Sequence, residues 1–192
     1  DGIAAIYFGE PWGFATAPLR MGDQEVARQT VQQIGDAKGG RMMWLSPEEA
    51  ERGKLIKPAV TIAPLDKIWE IVDLSMMGFL RSVTPNNRTP EELQGILTEI
   101  LRTGVYTELL LKPKYAQTMA NWLPTKVMLD NEEVMVPRIL VTCLENTYPR
   151  LAKIADRLWD EGRVMLASSA NRTGQPTMVG DPREVWELLK EK

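Results

Sequence analysis

The sequence contains no histidine, and this absence removes several common catalytic groups at once. Serine–histidine–aspartate triads, cysteine–histidine pairs and HExxH zinc sites all require an imidazole. Any catalysis by this chain must therefore depend on lysine, arginine, carboxylates, hydroxyls, backbone amides or a bound metal ion.

Cysteine is almost absent as well, since Cys143 is the single one in the sequence. A lone cysteine cannot form a disulfide within the chain, and a zinc site of the CxxC type needs a pair. Cys143 lies in the segment 138–144, whose largely apolar sequence predicts a core strand. We therefore expect a buried, inert thiol rather than a nucleophile.

Long apolar runs and the common phosphate-binding loops are missing too. No apolar run approaches the ~18 residues of a membrane helix, and no secretory signal is recognisable, so we expect a cytoplasmic protein without a membrane partner. The sequence has neither a Walker A loop nor a GxGxxG fingerprint. The net charge of −3 argues against broad electrostatic binding to nucleic acid. A local basic face would have to come from Arg81, Arg88, Lys112 and Lys114, and scattered charges of this kind are usually solvated.

The composition that remains is that of an ordinary globular protein. The chain has 192 residues, of which 44% are apolar and 26% charged, and this length suffices for one domain with a core. Strand-like and helix-like segments alternate without a linker or a low-complexity tract. We therefore predict a single α/β domain over residues 1–192, with a twisted mixed parallel/antiparallel sheet, flanking helices and an open cleft.

Several segments carry clear secondary-structure signals. Thr89-Pro-Glu-Glu92 is a capping box, and the apolar stripe that follows predicts a helix that stops at Gly104. Asn146 or Thr147 is expected to cap another helix, which runs through Leu151, Ile154 and Leu158 and ends at Gly162. The other predicted helices are 21–38, 46–53, 64–74, 113–122 and one that begins near residue 181. The predicted strands are 3–8, 59–63, 106–111, 125–129, 134–142 and 164–167, with a hairpin around 130–133.

The most informative stretch follows the last predicted strand. The apolar run 164–167 ends abruptly in Ser168, Ser169 and Asn171, and Gly174 and Pro176 close a turn. Such a strand presents hydrogen-bond donors and acceptors at the carboxyl edge of a sheet, where α/β proteins usually bind ligands. The alternative interpretation is a polar turn that merely follows a core strand.

The segment from Ala167 to Pro176 resembles the "(T/S)SAN-x-(S/T)G-x-P" signature of the YrdC/TsaC superfamily, the threonylcarbamoyl-AMP synthases and their relatives. Three looser similarities follow the same order along the chain as in the family. Residues 2–14 resemble its first strand, and 136–139 resemble its "(V/A)-x-V-R-(V/I)-P" strand. Its "K-x-R-P-x-x-K-P" segment is matched in two parts, Lys38-Gly-Gly-Arg41 and Lys57-Pro58. An alternative alignment of the K-x-R part uses 51–54. The family's Pro-Thr-Asp-Thr segment is replaced by residues 7–11. Residues 75–111 have no counterpart in the family. We therefore expect a divergent member of the family, with a helical insertion at 75–111.

The resemblance implies an enzyme, a nucleotidyltransferase that takes ATP, bicarbonate and usually L-threonine in one cleft and releases pyrophosphate, as in the formation of threonylcarbamoyladenosine in tRNA. It implies ATP and Mg²⁺ as cofactors and tRNA-modification proteins as partners. The residues it implies as catalytic are Lys38, Arg41 and Lys57, and those it implies as nucleotide-binding are Arg138, Ser168, Ser169 and Asn171. Adenylyl transfer depends mainly on positioning and charge neutralisation, so a chain without histidine is compatible with it.

Simpler interpretations stay open for the cations. Lys38 and Arg41 could instead complement the dipole at a helix C-terminus, and Lys57 could be a solvated surface lysine. Arg138 is harder to explain in this way, because a charge in an apolar strand requires a partner or a ligand. Two other functions also remain: a related carbamoyl-adenylate enzyme that acts on another amine, which the altered 7–11 segment favours, and a non-catalytic nucleotide-binding module.

Overall fold

The computed structural model of the chain describes residues 3–7, 12–19, 24–38, 59–77, 88–116, 123–129, 131–171 and 181–190. Over these residues the fold is α/β, with an open mixed sheet flanked by helices. The strands are β1 (Ala4–Tyr7), β2 (Trp12–Thr16), β3 (Val60–Ile62), β4 (Thr107–Leu110), β5 (Leu123–Leu129), β6 (Glu132–Thr142) and β7 (Met165–Ser169). The helices are α1 (Gln24–Ala37), α2 (Leu74–Met77), α3 (Pro90–Arg102), α4 (Pro113–Ala116), α5 (Pro149–Asp160) and α6 (Pro182–Lys190), and Ile68–Glu70 forms a 3₁₀ turn.

The strand order of the sheet is β1-β2-β7-β3-β6-β4, and β5 pairs with β6 outside this path. Among the described pairs, β3 and β6 run parallel and the others are antiparallel. The prediction of a mixed sheet is therefore confirmed. The predicted hairpin is confirmed as well, since β5 and β6 pair antiparallel from Leu129↔Glu132 to Leu123↔Arg138.

Along β7 the side chains alternate between two apolar clusters, because successive side chains of a strand point in opposite directions. Leu166 of β7 belongs to the larger cluster, which also holds Val31 and Ile34 of α1 and the inward face of α3. Its neighbours Met165 and Ala167 belong to the smaller cluster, which α5 covers through two alanines. β7 is thus buried on both faces, which explains its continuous apolar run.

The predicted helix over 64–74 is wrong, because neighbouring elements take up the backbone groups of this segment. Its N–H groups at Leu65 and Asp73 donate to the Glu145 carboxylate at 2.7 Å and to the Leu110 carbonyl at 2.9 Å. The carbonyl of Ile71 accepts from Lys112 N at 2.9 Å. Groups used between elements are not available to an α-helix, so only a short 3₁₀ turn forms.

The N-terminus of α5 also differs from the prediction. Asn146 donates its side-chain amide to the carbonyl of Arg102 at 3.1 Å, so it ties two loops together instead of capping its own helix. The residue at the cap is Tyr148, without a side-chain hydrogen bond. The buried face of α5 holds Ala155 and Trp159, while Ile154 is 50% exposed.

β2 was not predicted, because Gly13 and Ala15 interrupt the large apolar residues Trp12 and Phe14 in a segment of only five residues. The helix expected over 46–53 lies outside the described residues. For the helix expected over 113–122, the described part is α4.

Candidate functional site

Lys38 follows α1 directly and is almost completely buried, with 2% of its surface exposed. Its backbone N–H closes the helix by donating to the carbonyls of Ile34 and Gly35, at 3.2 and 3.1 Å. The buried stripe of α1 runs through Ala27, Val31 and Ile34. Lys38 continues this stripe, because it lies four residues after Ile34 and so shares its face of the helix. A lysine is rarely found in such a position unless its ammonium group has partners.

The ammonium group of Lys38 reaches the end of β7. Its Nζ atom donates to Ser168 Oγ at 2.9 Å and to Ser169 Oγ at 3.3 Å, across 130 and 131 residues of sequence. The Ser169 hydroxyl in turn donates to Asn171 Oδ1 at 2.7 Å. The structure therefore brings Lys38, Ser168, Ser169 and Asn171 into one hydrogen-bonded cluster, which we call the lysine–serine cluster.

The position of the lysine–serine cluster follows from how β7 is paired. On one side β2 accompanies β7 to its end, with Phe14 opposite Ser168 and Gly13 opposite Ser169. On the other side the ladder with β3 ends at Val60↔Ala167. Within the described residues, the two serines thus have a strand on one side only. Their hydroxyl groups lie where the sheet opens.

The sheet divides on that open side, beside Arg138 of β6. Arg138 is in register with Leu110 of β4 and with Leu123 of β5, so these two strands lie on opposite edges of β6. β3 lies on the edge away from β4, where it pairs with the C-terminal end of β6, and β5 therefore continues along that same edge. Among the described residues, the place where β3 ends and β5 begins is a split in the sheet.

Strand register places Arg138 and Ser169 on the two sides of this split. Thr61 of β3 pairs with Leu166 on one side and with Val141 on the other. Ser169 and Arg138 each lie three residues beyond that row, toward the same edge. Two strand spacings then separate their backbones, about 10 Å.

The side chain of Arg138 makes an ion pair with Glu108 of β4, and the two side chains are 29% and 59% exposed. Its Nε atom is buried and has no hydrogen-bond partner among the described residues. A charge in this strand does have a partner, as expected, but that partner is a carboxylate. In the described part of the chain, Arg138 is not bonded to the lysine–serine cluster.

Sequence reasoning did not single out Glu108. The available signal was a carboxylate beside the apolar residues Leu109 and Leu110 in a predicted strand. Its pairing with Arg138 depends on the register between β4 and β6, which a single sequence does not contain. Two other predicted site residues, Arg41 and Lys57, lie outside the described residues.

Cys143 is buried, as predicted. Burial raises the pKa of its thiol to about 12, and the nearby carboxylates of Glu145 and Asp66 act in the same direction. The group is therefore a neutral thiol near pH 7, which does not suit a nucleophile. Tyr115 is buried too, and its hydroxyl donates to Glu70 Oε1 at 2.9 Å, so it packs between elements.

The fold and the lysine–serine cluster define an α/β protein with a buried cation at a split in its sheet. Comparisons of the chain with protein-family models, with curated proteins and with solved structures find no match. Of the helices that the structure describes, none has the length and apolar character needed to cross a membrane. No group of three or more acidic or cysteine side chains that could hold a metal ion occurs among the described residues.

Proposed function

We propose that the chain is an ATP-dependent enzyme similar to the threonylcarbamoyl-AMP synthases, forming a carbamoyl adenylate from ATP, bicarbonate and an amino acid. The observation that supports this proposal is the bond of the buried Lys38 ammonium group to the serines at the end of β7. The lysine and the serines were singled out by the resemblance from two distant segments. Contact between them is expected if both segments serve one ligand.

The chemical character of the lysine–serine cluster suits a phosphate group. An ammonium ion out of bulk water stabilises a nearby anion more strongly than the same ion on the surface, because the local dielectric response is weaker. Ser169 and Asn171 add hydroxyl and amide groups that hydrogen-bond phosphate oxygens or a sugar. Arg138, about two strand spacings away across the split, would supply a second positive charge.

The proposed reaction has two balanced steps. The amine nitrogen bonds to the carbon of bicarbonate, and water leaves. A carbamate oxygen then bonds to the α-phosphorus of ATP while the bond to pyrophosphate breaks, so the mixed anhydride and pyrophosphate are the products. Lys38 would stabilise the charge that collects on the phosphate oxygens. Mg²⁺, which neutralises phosphate charge, would be held chiefly by the nucleotide, because the described cluster offers an ammonium group, two hydroxyls and an amide.

The amine that accepts the carboxyl group is a separate question. Residues 7–11 replace the Pro-Thr-Asp-Thr of the resembled family, in the segment that helps to form its amino-acid pocket. This difference favours a second candidate function, the same adenylate chemistry on another amine. If the acceptor is threonine, the proposal implies a cytoplasmic enzyme with tRNA-modification proteins as partners.

Calorimetric titration with ATP and Mg²⁺, followed by assays of pyrophosphate release, tests the proposal. We expect Lys38→Met, Ser169→Ala and Asn171→Ala each to weaken ATP binding at least tenfold. A matched control is Lys126→Met, which removes an ammonium group that is 60% exposed on the hairpin and should leave ATP affinity unchanged. Unchanged affinity in both Lys38→Met and Ser169→Ala would show that the cluster is not the nucleotide site.

The release assay, with bicarbonate and each amino acid in turn, separates the candidate functions. Release that depends on threonine supports the first, and release that depends on another amine supports the second. ATP binding without any pyrophosphate release would indicate a non-catalytic nucleotide-binding module.

A further inference from the structure

We infer that Ser168 is a positioning residue, whose hydroxyl group holds the Lys38 ammonium group in place while Ser169 and Asn171 face the ligand. This inference rests on the proposed function. It gives Ser168 a different role from the direct nucleotide contact that the resemblance implies for the serines together.

The side chain of Ser168 lies on the face of the sheet from which Lys38 approaches. Ser168 pairs with Phe14 and lies two residues after Leu166, so its side chain points toward the same sheet face as these two residues. That face carries the larger apolar cluster, to which α1 contributes. Lys38 reaches the sheet from α1, and its shorter bond to the serines is the one to Ser168. Ser169 lies one residue further along β7 and accepts the longer bond from the same ammonium group.

Ser168 is also more deeply buried than Ser169 and Asn171. Ser168 is among the buried polar residues, with 9% of its surface exposed, and Lys38 beside it has 2%. Ser169 and Asn171 are half-buried. A ligand that enters from the split therefore has better access to Ser169 and Asn171 than to Ser168.

Ser168 and Ser169 also differ in their hydrogen bonds. Ser168 Oγ accepts from Lys38 at 2.9 Å, the shorter of the two bonds between the lysine and the serines. Ser169 accepts the longer bond and gives its only hydroxyl proton to Asn171 Oδ1. This contact turns the amide nitrogen of Asn171 away from Ser169. Among the described residues, removal of the Ser169 hydroxyl thus disturbs two partners, whereas removal of the Ser168 hydroxyl disturbs Lys38.

A double-mutant cycle on ATP affinity tests the role of Ser168. We expect Ser168→Ala to weaken ATP binding by about three- to tenfold, and Ser168→Thr, which keeps the hydroxyl, to restore most of it. In a Lys38→Met background, Ser168→Ala should change the affinity by less than twofold, because its effect passes through the lysine. Ser169→Ala should still weaken binding in that background, through Asn171.

Adenosine provides a second readout that a purely structural role would not separate. Lys38 is proposed to act on phosphate, so Ser168→Ala should leave the affinity for adenosine unchanged while it lowers the affinity for ATP. Far-UV circular dichroism checks that each variant folds. If Ser168→Ala does not fold, Ser168→Cys, which has nearly the same shape but accepts hydrogen bonds poorly, gives the same test.

The outcomes distinguish this inference from the proposed function. The inference is wrong if Ser168→Ala binds ATP like the wild type, or if its full effect persists in the Lys38→Met background. In either case the proposed function still stands, provided that the wild type binds ATP. A wild-type protein with no affinity for ATP would overturn the proposed function and, with it, the role of Ser168.

Discussion

At the scale of single residues, Gly104 shows how a backbone angle and a neighbour together restrict a position. Its φ is +76°, in the left-handed region, and a Cβ atom added there would lie 2.9 Å from Thr147 Cγ2. Its carbonyl also accepts a hydrogen bond from the Thr142 hydroxyl at 2.9 Å. The turn after α3 is thus held against the end of β6 and the loop before α5.

Three glycine-to-alanine substitutions separate these effects. Gly162 has the same φ of +76° but nothing within 4 Å of the added carbon, and Gly95 lies in α3 with nothing within 4 Å. We expect Gly162→Ala to lower the free energy of unfolding by about 1 kcal/mol, and Gly104→Ala by about 1 kcal/mol more. Gly95→Ala should raise it by about 0.5–1 kcal/mol. Urea unfolding of the three variants measures the order. Equal losses at Gly104 and Gly162 would mean that the Thr147 contact has no energetic effect.

The candidate site shows what a single sequence contains at this scale. Ser168, Ser169 and Asn171 follow a buried strand, and Lys38 ends an amphipathic helix, so each could be selected from its own segment. The bond between Lys38 and the serines could not be predicted from spacing, because it spans 130 residues and depends on the packing of α1 against the sheet. The Arg138–Glu108 pair could not be predicted either, because it depends on the register between β4 and β6.

At the scale of elements, α3 shows the opposite case, in which local signals suffice. Thr89 Oγ1 accepts from Glu92 N at 3.3 Å, and Glu92 Oε2 accepts from Thr89 N at 3.0 Å. Both halves of the predicted capping box are therefore present, followed by the buried residues Leu93, Leu97 and Leu101. Segment 64–74 failed as a helix prediction because its backbone partners come from β4 and Glu145, which are distant in sequence.

Removal of the Thr89 cap tests how much this local signal contributes to stability. We expect Thr89→Ala to lower the free energy of unfolding by about 1 kcal/mol, because the N–H of Glu92 loses its acceptor. Thr98→Ala is the matched control. Thr98 lies inside α3 and donates to the carbonyl of Gln94 at 2.7 Å, so alanine there should be neutral or slightly stabilising. Chemical unfolding measures both, and a loss of similar size at Thr98 would argue against a specific capping effect.

At the scale of the whole molecule, the order of the strands determines the candidate site. β7 lies between β2 and β3 although both precede it by far in the sequence, and β6 pairs with three different strands. Local patterns predict that these strands exist, but their order follows from how the complete set of apolar faces packs. The split between the lysine–serine cluster and Arg138 is a result of that order.

If both sides of the split serve one anionic ligand, the carboxylate of Glu108 competes with that ligand for Arg138. We therefore expect Glu108→Gln to strengthen ATP binding by about 1.5- to fivefold, a change of the size that one partly exposed ion pair produces. Arg138→Gln should weaken it. Glu133→Gln is the matched control, since its carboxylate pairs with Lys126 at 2.7 Å on the distant hairpin.

Titration calorimetry with ATP at low and at physiological salt measures these effects, and the gain from Glu108→Gln should shrink as salt screens the charges. Weaker binding in Glu108→Gln would show that Glu108 orients the guanidinium group and does not compete for it. Unchanged binding in Arg138→Gln would show that the β5–β6 side of the split takes no part in holding the nucleotide. The site would then consist of the β7 side alone, where the buried Lys38 is the cation.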